Sequence, residues 1–230
     1  MEICRYLAMT RWEMEKYTLP QGFFPAFLSW EADWTDLPEA VAPESLLIVS
    51  DRLPPTNPAG LCAAAEAFAG VLLDFQKPGQ EALVRALAAA LPYPPAVSEP
   101  YGVVTGGPVF LPPCPPDKPL ADHLAPWKNR EIWLDTAPEV LTLTLTEAGC
   151  TAASLPQPPT GPHFTDENLC CRYKIETAPN QITFALWRDK QMLEAHTHQA
   201  QTLGVTKTMG LFQEWHPLHR TPNLRTCHPD

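Results

Sequence analysis

The sequence predicts one α/β domain, a compact (β/α)8 barrel of the TIM type with a small antiparallel β insertion in its C-terminal half. Three observations support this fold. Short apolar runs alternate with segments of helical spacing, which is the order of a parallel sheet with helices outside. Threonine and leucine alternate strictly over residues 141–146, as in a strand with one solvent-exposed face. The length of 230 residues lies within the range of compact barrels.

Six apolar runs in the first half of the chain are each bounded by turn residues and are predicted to be buried strands. They are residues 3–9, 23–30, 46–49, 70–75, 96–98 and 109–111. Residues 61–68, rich in alanine, and residues 80–91 are predicted helices between these strands. In the second helix Leu83, Leu87 and Leu91 recur four residues apart, which puts them on one face.

The second half of the chain is predicted to complete the barrel around the insertion. Its predicted strands are residues 132–134, 141–146, 170–175, 182–187 and 208–215, and its long helix is residues 190–203. Proline-rich stretches do not divide the chain, because apolar strands resume on both sides of each. We therefore expect one barrel domain over residues 1–215, with the insertion at about 137–185, and an irregular tail over residues 216–230.

The charge balance argues against a nucleic acid partner. Twenty-six acidic against sixteen basic side chains give a formal charge of -10, which repels a phosphate backbone. The first residues lack the pattern of a secretory signal, and no apolar stretch approaches the length of a membrane span. We expect a cytoplasmic protein without a membrane partner, and the sequence leaves its oligomeric state open.

Metal and cofactor signatures are missing from the sequence. The seven cysteines are odd in number and nowhere spaced C-x-x-C, so neither a disulfide framework nor a zinc site is expected. His216 and His219, with Cys227 and His228, fit no zinc spacing. Glycines within residues 102–107 lack the spacing of a phosphate loop or dinucleotide fingerprint. The prediction is a protein without a metal or cofactor.

In a parallel barrel the functional site forms at the C-terminal ends of the strands, so the residues that follow each apolar run are the candidates. Carboxylates accept hydrogen bonds from hydroxyl groups, and aromatic rings offer an apolar face. Acids and aromatics at one mouth therefore favour a sugar ligand. The residues expected to contact it are Trp30, Glu31, Asp51, Tyr101, Asp135, Trp187, Asp189 and Trp215.

Residues 68–76 resemble the fourth strand of the family 18 glycoside hydrolases, the chitinase-like barrels. The family motif there is Asp-Gly-x-Asp-x-Asp-x-Glu. In this chain the corresponding residues are Ala69, Gly70, Val71, Leu72, Leu73, Asp74, Phe75 and Gln76. The glycine and the last aspartate match, the first two acids are replaced, and Gln76 stands where the family has its catalytic glutamate.

A second resemblance concerns the end of the chain. Residues 184–189, the following helix and residues 203–215 look like the seventh-strand aromatic and acid, the helix and the eighth strand of one subgroup of that family. The subgroup includes spore cortex and peptidoglycan hydrolases. The strand pair 171–175 and 182–187 also lies where the subgroup has a hairpin before its acidic residue.

The departures from the motif imply that the protein binds a glycan but does not hydrolyse it efficiently. In the family the glutamate protonates the leaving oxygen, while the acetamido group of the substrate attacks and the preceding aspartate steadies it. Gln76 cannot supply that proton, but its amide can still hydrogen-bond to hydroxyls, and Asp74 can still accept from an N–H. The resemblance therefore implies a barrel that binds an amino-sugar glycan without efficient hydrolysis.

Two alternatives stay open at this point. An active glycosidase could have moved its acid to another position, and Glu99 and Glu214 are the candidates. A scaffold or partner-binding protein with no glycan site is the other alternative, because a fold does not fix a function.

Overall fold

The computed structural model describes residues 2–29, 31, 36–52 and 58–219; Trp30 lies outside the described residues. The described strands are β1 (Cys4–Met9), β2 (Phe24–Leu28), β3 (Leu46–Ser50), β4 (Gly70–Asp74), β5 (Ala96–Ser98), β6 (Val109–Leu111), β7 (Ile132–Asp135), β8 (Val140–Thr146), β9 (Gly149–Ser154), β10 (Phe164–Asp166), β11 (Cys171–Ala178), β12 (Gln181–Trp187) and β13 (Lys207–Leu211). The described helices are α1 (Arg11–Lys16), α2 (Pro58–Ala65), α3 (Glu81–Ala90), α4 (Leu120–Leu124), α5 (Lys190–Thr202) and α6 (Phe212–His219).

Eight parallel strands close into a barrel in the order β1, β2, β3, β4, β5, β6, β7 and β13. The barrel closes where β13 pairs in parallel with β1, and Tyr6 lies opposite Met209 in this pair. On the other side β13 pairs in parallel with β7, where Thr208 lies opposite Leu134. The predicted (β/α)8 barrel is confirmed.

Side chains alternate between the barrel interior and the surrounding helices, and β4 shows this residue by residue. Leu72 is buried in the interior cluster that also contains Trp133. Its neighbour Leu73 is buried in the outer cluster, together with Leu87 of α3. Because successive side chains of a strand point to opposite faces, Asp74 returns to the interior side at the C-terminal end of β4.

The helices bury one face each against the outside of the barrel. In α3 this face contains Val84 and Leu87. Helix α5 begins at Lys190 because the Asp189 side chain caps it, accepting a hydrogen bond of 2.9 Å from the backbone N–H of Met192. Helix α5 has 13 residues, and no helix in the described ranges has the length and apolar content needed to cross a bilayer.

The insertion is a five-stranded antiparallel sheet in the order β10, β11, β12, β8 and β9. It leaves the barrel after β7 and returns to it at α5. Opposite residues Thr144 and Thr183 lie on one face, with 3.3 Å between their hydroxyl oxygens. The opposite pair Leu145 and Ile182 lies on the other face. The threonine and leucine pattern therefore predicted this antiparallel sheet correctly.

Two predictions for the second half of the chain need correction. The strand pair 171–175 and 182–187 forms the expected hairpin as β11 and β12. The likeness of residues 184–189 to the end of a seventh barrel strand is wrong, because the seventh barrel strand is Ile132–Asp135. The last strand ends at Leu211, and residues predicted as strand and tail form α6 up to position 219. The reason for the second difference is packing: Phe212 and Trp215, three residues apart, share a helix face that is buried against Leu7.

The loop before β6 contains two adjacent glycines with different surroundings, and substituting each of them tests how tightly this loop is packed. A Cβ atom at Gly107 would overlap the backbone carbonyl oxygen of Pro95, whereas a Cβ atom at Gly106 would meet nothing within 4 Å. Backbone cannot move aside as a side chain can. We expect Gly107→Ala to lower the free energy of unfolding by about 1–3 kcal/mol in urea titrations, a typical cost of overpacking. Gly106→Ala is the matched control, and equal stability of the two variants would contradict the described loop.

Candidate functional site

A pocket of about 80 Å³ lies in the mouth of the barrel, at the C-terminal ends of its strands. Its walls are mostly apolar, and its acidic lining residues are Asp74 from β4 and Asp135 from β7. The two strands are separated by β5 and β6 in the barrel, so the carboxyl groups approach the mouth from different sides. The remaining lining residues are Ala8, Leu28, Ile48, Leu72, Phe110, Met209, Gly210 and Leu211.

Asp74 and Gln76 are joined by a hydrogen bond at this mouth. The Gln76 Nε2 donates to Asp74 Oδ1 at 2.7 Å and to Ser98 Oγ at 3.2 Å. The Ser98 hydroxyl in turn donates to Asp74 Oδ1 at 2.8 Å. One oxygen of Asp74 therefore accepts two hydrogen bonds, which fixes the direction of the carboxyl group. Ser98, the last residue of β5, is a site residue that the sequence analysis missed.

Asp51 holds the turn that carries Gln76. It is buried, and its Oδ2 accepts hydrogen bonds from the backbone N–H groups of Gln76 at 2.7 Å and Lys77 at 2.6 Å. The Lys77 Nζ also donates to the Asp51 backbone carbonyl at 2.8 Å. Asp51 does not line the mouth pocket and its carboxylate is engaged by the protein backbone, so its expected ligand contact stays a prediction beside this structural role.

Asp135 is the described acidic residue whose pKa departs most from its ordinary value. Burial and the nearby carboxyl groups of Glu214, Asp74 and Glu139 raise its pKa to about 8, against a smaller lowering effect of the Thr136 backbone. No described ion pair involves Asp135. At pH 7 its side chain is therefore mostly protonated and uncharged.

Glu214, at the start of α6, lies close enough to Asp135 to influence its titration. Burial, with Glu139 as a further cause, raises the pKa of Glu214 itself. Its Oε2 is buried and has no hydrogen-bond partner among the described residues. Glu214 therefore remains a candidate acid beside the mouth.

Arg188 is a buried cation that acts on Glu139, and backbone carbonyl groups accept hydrogen bonds from both of its terminal nitrogens. Its guanidinium donates to the carbonyl oxygens of Cys114 at 2.5 Å, Pro115 at 3.4 Å and Leu169 at 3.2 Å. Burial raises the pKa of Glu139, and the charge of Arg188 partly opposes that shift. In the described ranges Arg188 makes no ion pair with either mouth carboxyl group.

Glu99 and two predicted aromatic contacts do not line the mouth pocket. The Glu99 carboxylate accepts a hydrogen bond of 3.3 Å from the indole N–H of Trp127. Tyr101 is buried in the outer cluster, and its hydroxyl donates to the Lys77 carbonyl. Trp215 is 1% exposed and donates to the Thr136 carbonyl at 3.1 Å. None of the three lines the mouth pocket, so the expected ligand contacts of Tyr101 and Trp215, and the relocated acid at Glu99, stay predictions that this pocket does not support.

The predicted contacts in the insertion region also have structural roles. Trp187 is buried and packs edge-on against His163 with 5.4 Å between ring centroids. Asp189 caps α5 and forms an ion pair of 2.9 Å with Arg172. Both residues belong to the junction between the insertion and the barrel, so their expected place at a seventh-strand end is corrected.

Glu31 is the predicted contact that follows β2. It is exposed, and the hydrogen bonds described for it join its backbone to the Ser29 hydroxyl. Glu31 does not line the mouth pocket, so its expected ligand contact stays a prediction. Elsewhere within the described chain, no three histidine, cysteine, aspartate or glutamate residues are grouped so that they could hold a metal ion.

Comparisons with known proteins find likeness at the level of the fold. No protein-family model matches the chain, and no curated protein matches it. The spore cortex-lytic enzyme SleL of Bacillus megaterium QM B1551 is 12% identical with a TM-score of 0.49, covering 94% of this chain and 73% of that one. A family 18 N-acetylglucosaminidase from Paenibacillus barengoltzii is 11% identical with a TM-score of 0.49, covering 91% and 94%.

The role of Asp51 can be tested by removing its charge. In Asp51→Asn, the backbone N–H groups of Gln76 and Lys77 lose a charged acceptor. Hydrogen bonds to charged groups contribute more than neutral ones, so we expect a loss of about 1–2 kcal/mol in the free energy of unfolding. Urea unfolding followed by circular dichroism measures it. Asp122→Asn on the exposed side of α4 is the control, and equal effects of the two changes would disprove the structural role.

Proposed function

We propose that the barrel mouth binds an amino-sugar glycan and does not hydrolyse it efficiently. The observation that carries this proposal is the hydrogen bond between Asp74 and Gln76 at the mouth. These are the two residues that align with the last aspartate and the catalytic glutamate of the family 18 motif. The chitinase-like nature of the structurally similar proteins agrees with a sugar ligand.

The chemistry of Gln76 is the reason to propose binding without turnover. A general acid must deliver a proton to the leaving oxygen, and a carboxamide has no proton of suitable acidity. Its Nε2 donates to Asp74 and Ser98, which leaves the amide oxygen as an acceptor for a sugar hydroxyl. Asp74 Oδ2 offers a second acceptor beside it. The pair therefore suits recognition of hydroxyl and N–H groups.

The size of the pocket limits what can enter it. Its volume of about 80 Å³ is well below the roughly 300–1,000 Å³ of typical ligand pockets. We infer that one ring substituent of a sugar enters between Asp74 and Asp135, while the remainder of the glycan lies across the mouth. The apolar walls formed by residues such as Phe110 and Met209 favour a substituent with a methyl group, such as an acetamido group.

A second candidate function is a glycosidase that uses Glu214 as its acid. The raised pKa of Glu214 favours this alternative, since a general acid must keep its proton near neutral pH. Glu99, the other candidate acid, is less favoured because it does not line the mouth pocket and accepts a hydrogen bond from Trp127. Turnover of a fluorogenic chito-oligosaccharide by the wild type, lost in Glu214→Gln, would replace the binding proposal by this one.

Calorimetric titration with chitotetraose tests the binding proposal. We expect the wild type to bind and Asp74→Asn to bind at least about tenfold more weakly, because it loses a charged acceptor worth about 1.5–3 kcal/mol. Asp122→Asn, an exposed acid on another helix, is the matched control and should bind like the wild type. If folded wild-type protein shows no heat of binding at millimolar sugar, the glycan site is contradicted. The alternative of a scaffold or partner-binding protein would then replace it.

Restoring the acid tests the explanation for missing turnover. Gln76→Glu places a carboxyl group beside Asp74 at nearly constant volume, and the neighbouring charge should raise its pKa toward that of a general acid. We expect weak hydrolysis of a fluorogenic chito-oligosaccharide, only partial because Leu72 still replaces an acid of the motif. The wild type and the double variant Gln76→Glu/Asp74→Asn should stay inactive. Equal activity of all three proteins would contradict the role of Gln76.

A further inference from the structure

The two carboxyl groups of the mouth have different surroundings. Asp74 accepts hydrogen bonds from Gln76 and Ser98 on a single oxygen, so donors of the protein already support it as an acceptor. Asp135 forms no ion pair among the described residues, and the group of the protein that favours its charged form is the backbone of Thr136. Both line the same pocket. The pocket therefore offers one acceptor with two side-chain donors and one carboxyl group whose negative charge is favoured, among the described residues, by the Thr136 backbone alone.

The charged groups that act on Asp135 come from three elements around it. Asp74 lies at the end of β4, Glu139 follows β7, and Glu214 lies in α6. All three are acidic, and Arg188 acts on Glu139 rather than pairing with Asp135. Like charges and burial both oppose ionisation of a carboxyl group, and they raise the pKa of Asp135 to about 8. A protonated carboxyl group is a hydrogen-bond donor.

We propose that Asp135 is the hydrogen-bond donor that holds a neutral oxygen of the bound sugar, opposite the acceptor Asp74. This role rests on the proposed glycan site and adds a determinant of specificity to it. The mouth then accepts a neutral group that carries a donor on one side and an acceptor oxygen on the other, such as a hydroxyl pair or an amide. Loss of the Asp135 proton removes the donor and places a second negative charge in the pocket.

The role makes glycan binding depend on pH in a defined direction. Between pH 6 and pH 7 Asp135 stays protonated, and affinity should be constant. With a pKa of about 8, roughly one tenth of the molecules keep the proton at pH 9. Because apparent affinity scales with the competent fraction, binding should weaken about tenfold between pH 6 and pH 9.

Asp135→Asn is the variant that separates this role from a merely structural one. Its amide has nearly the same shape as the protonated acid and donates through Nδ2 at every pH. Titrations with chitotetraose at pH 6, 7, 8 and 9 should show the wild type losing affinity about tenfold while the variant changes little. Asp122→Asn, as a control, should follow the wild type.

Three results would count against the proposal in distinguishable ways. Constant wild-type affinity from pH 6 to pH 9 would overturn the role of Asp135 and leave the glycan site intact. A parallel loss of affinity in Asp135→Asn would assign the pH dependence to another group and overturn the role as well. No binding by folded wild type at pH 6 would overturn the glycan site, and the role of Asp135 with it.

Thermal unfolding gives an independent test of the Asp135 proton. A carboxyl group whose pKa is higher in the folded than in the unfolded protein costs stability as pH rises from about 4 to 8. Asp135→Asn lacks this cost. We expect its melting temperature to exceed that of the wild type by about 3 °C or more at pH 9, and by less at pH 5. A difference that does not change with pH would contradict a protonated Asp135.

Discussion

The alternation of side chains along eight closed parallel strands decides where the polar groups of this protein lie. In β4, Leu72 fills the barrel interior, Leu73 faces the helices, and Asp74 returns to the interior at the mouth. In β7, Trp133 fills the interior and Asp135 reaches the same mouth two residues later. Barrel closure therefore brings two carboxyl groups to one pocket from strands that are distant in the sequence.

Bringing two carboxyl groups into an apolar mouth has an energetic consequence. The backbone of one turn engages Asp51, and Gln76 and Ser98 engage Asp74, so these acids have their hydrogen bonds supplied by the protein. Asp135 receives no comparable side-chain support and keeps its proton instead. Groups that are costly for the folded state and face a cavity are common at functional sites. The free-energy cost of burying the Asp135 carboxyl group beside other acids agrees with a role in the proposed ligand site.

Strand order, the insertion and the position of Asp74 could be predicted because they depend on local patterns. Apolar runs bounded by turns predicted the barrel strands, and alternating threonine predicted β8. The likeness of residues 184–189 to a seventh barrel strand was misleading, because an apolar strand of the insertion has the same pattern as a barrel strand. The burial of Tyr101 and Trp215 and the proton on Asp135 depend on neighbours that are distant in the sequence. No local pattern carries that information.

A crystal structure of the protein grown with chitotetraose at pH 6 would show whether the barrel mouth is a glycan site. We expect a sugar unit at the barrel mouth, with a donor group within hydrogen-bond distance of Asp74 and an oxygen within hydrogen-bond distance of Asp135. The remaining units should lie across the strand ends, because the pocket is too small to enclose them. A mouth without sugar at saturating ligand, or sugar bound elsewhere on the protein, would contradict the glycan site.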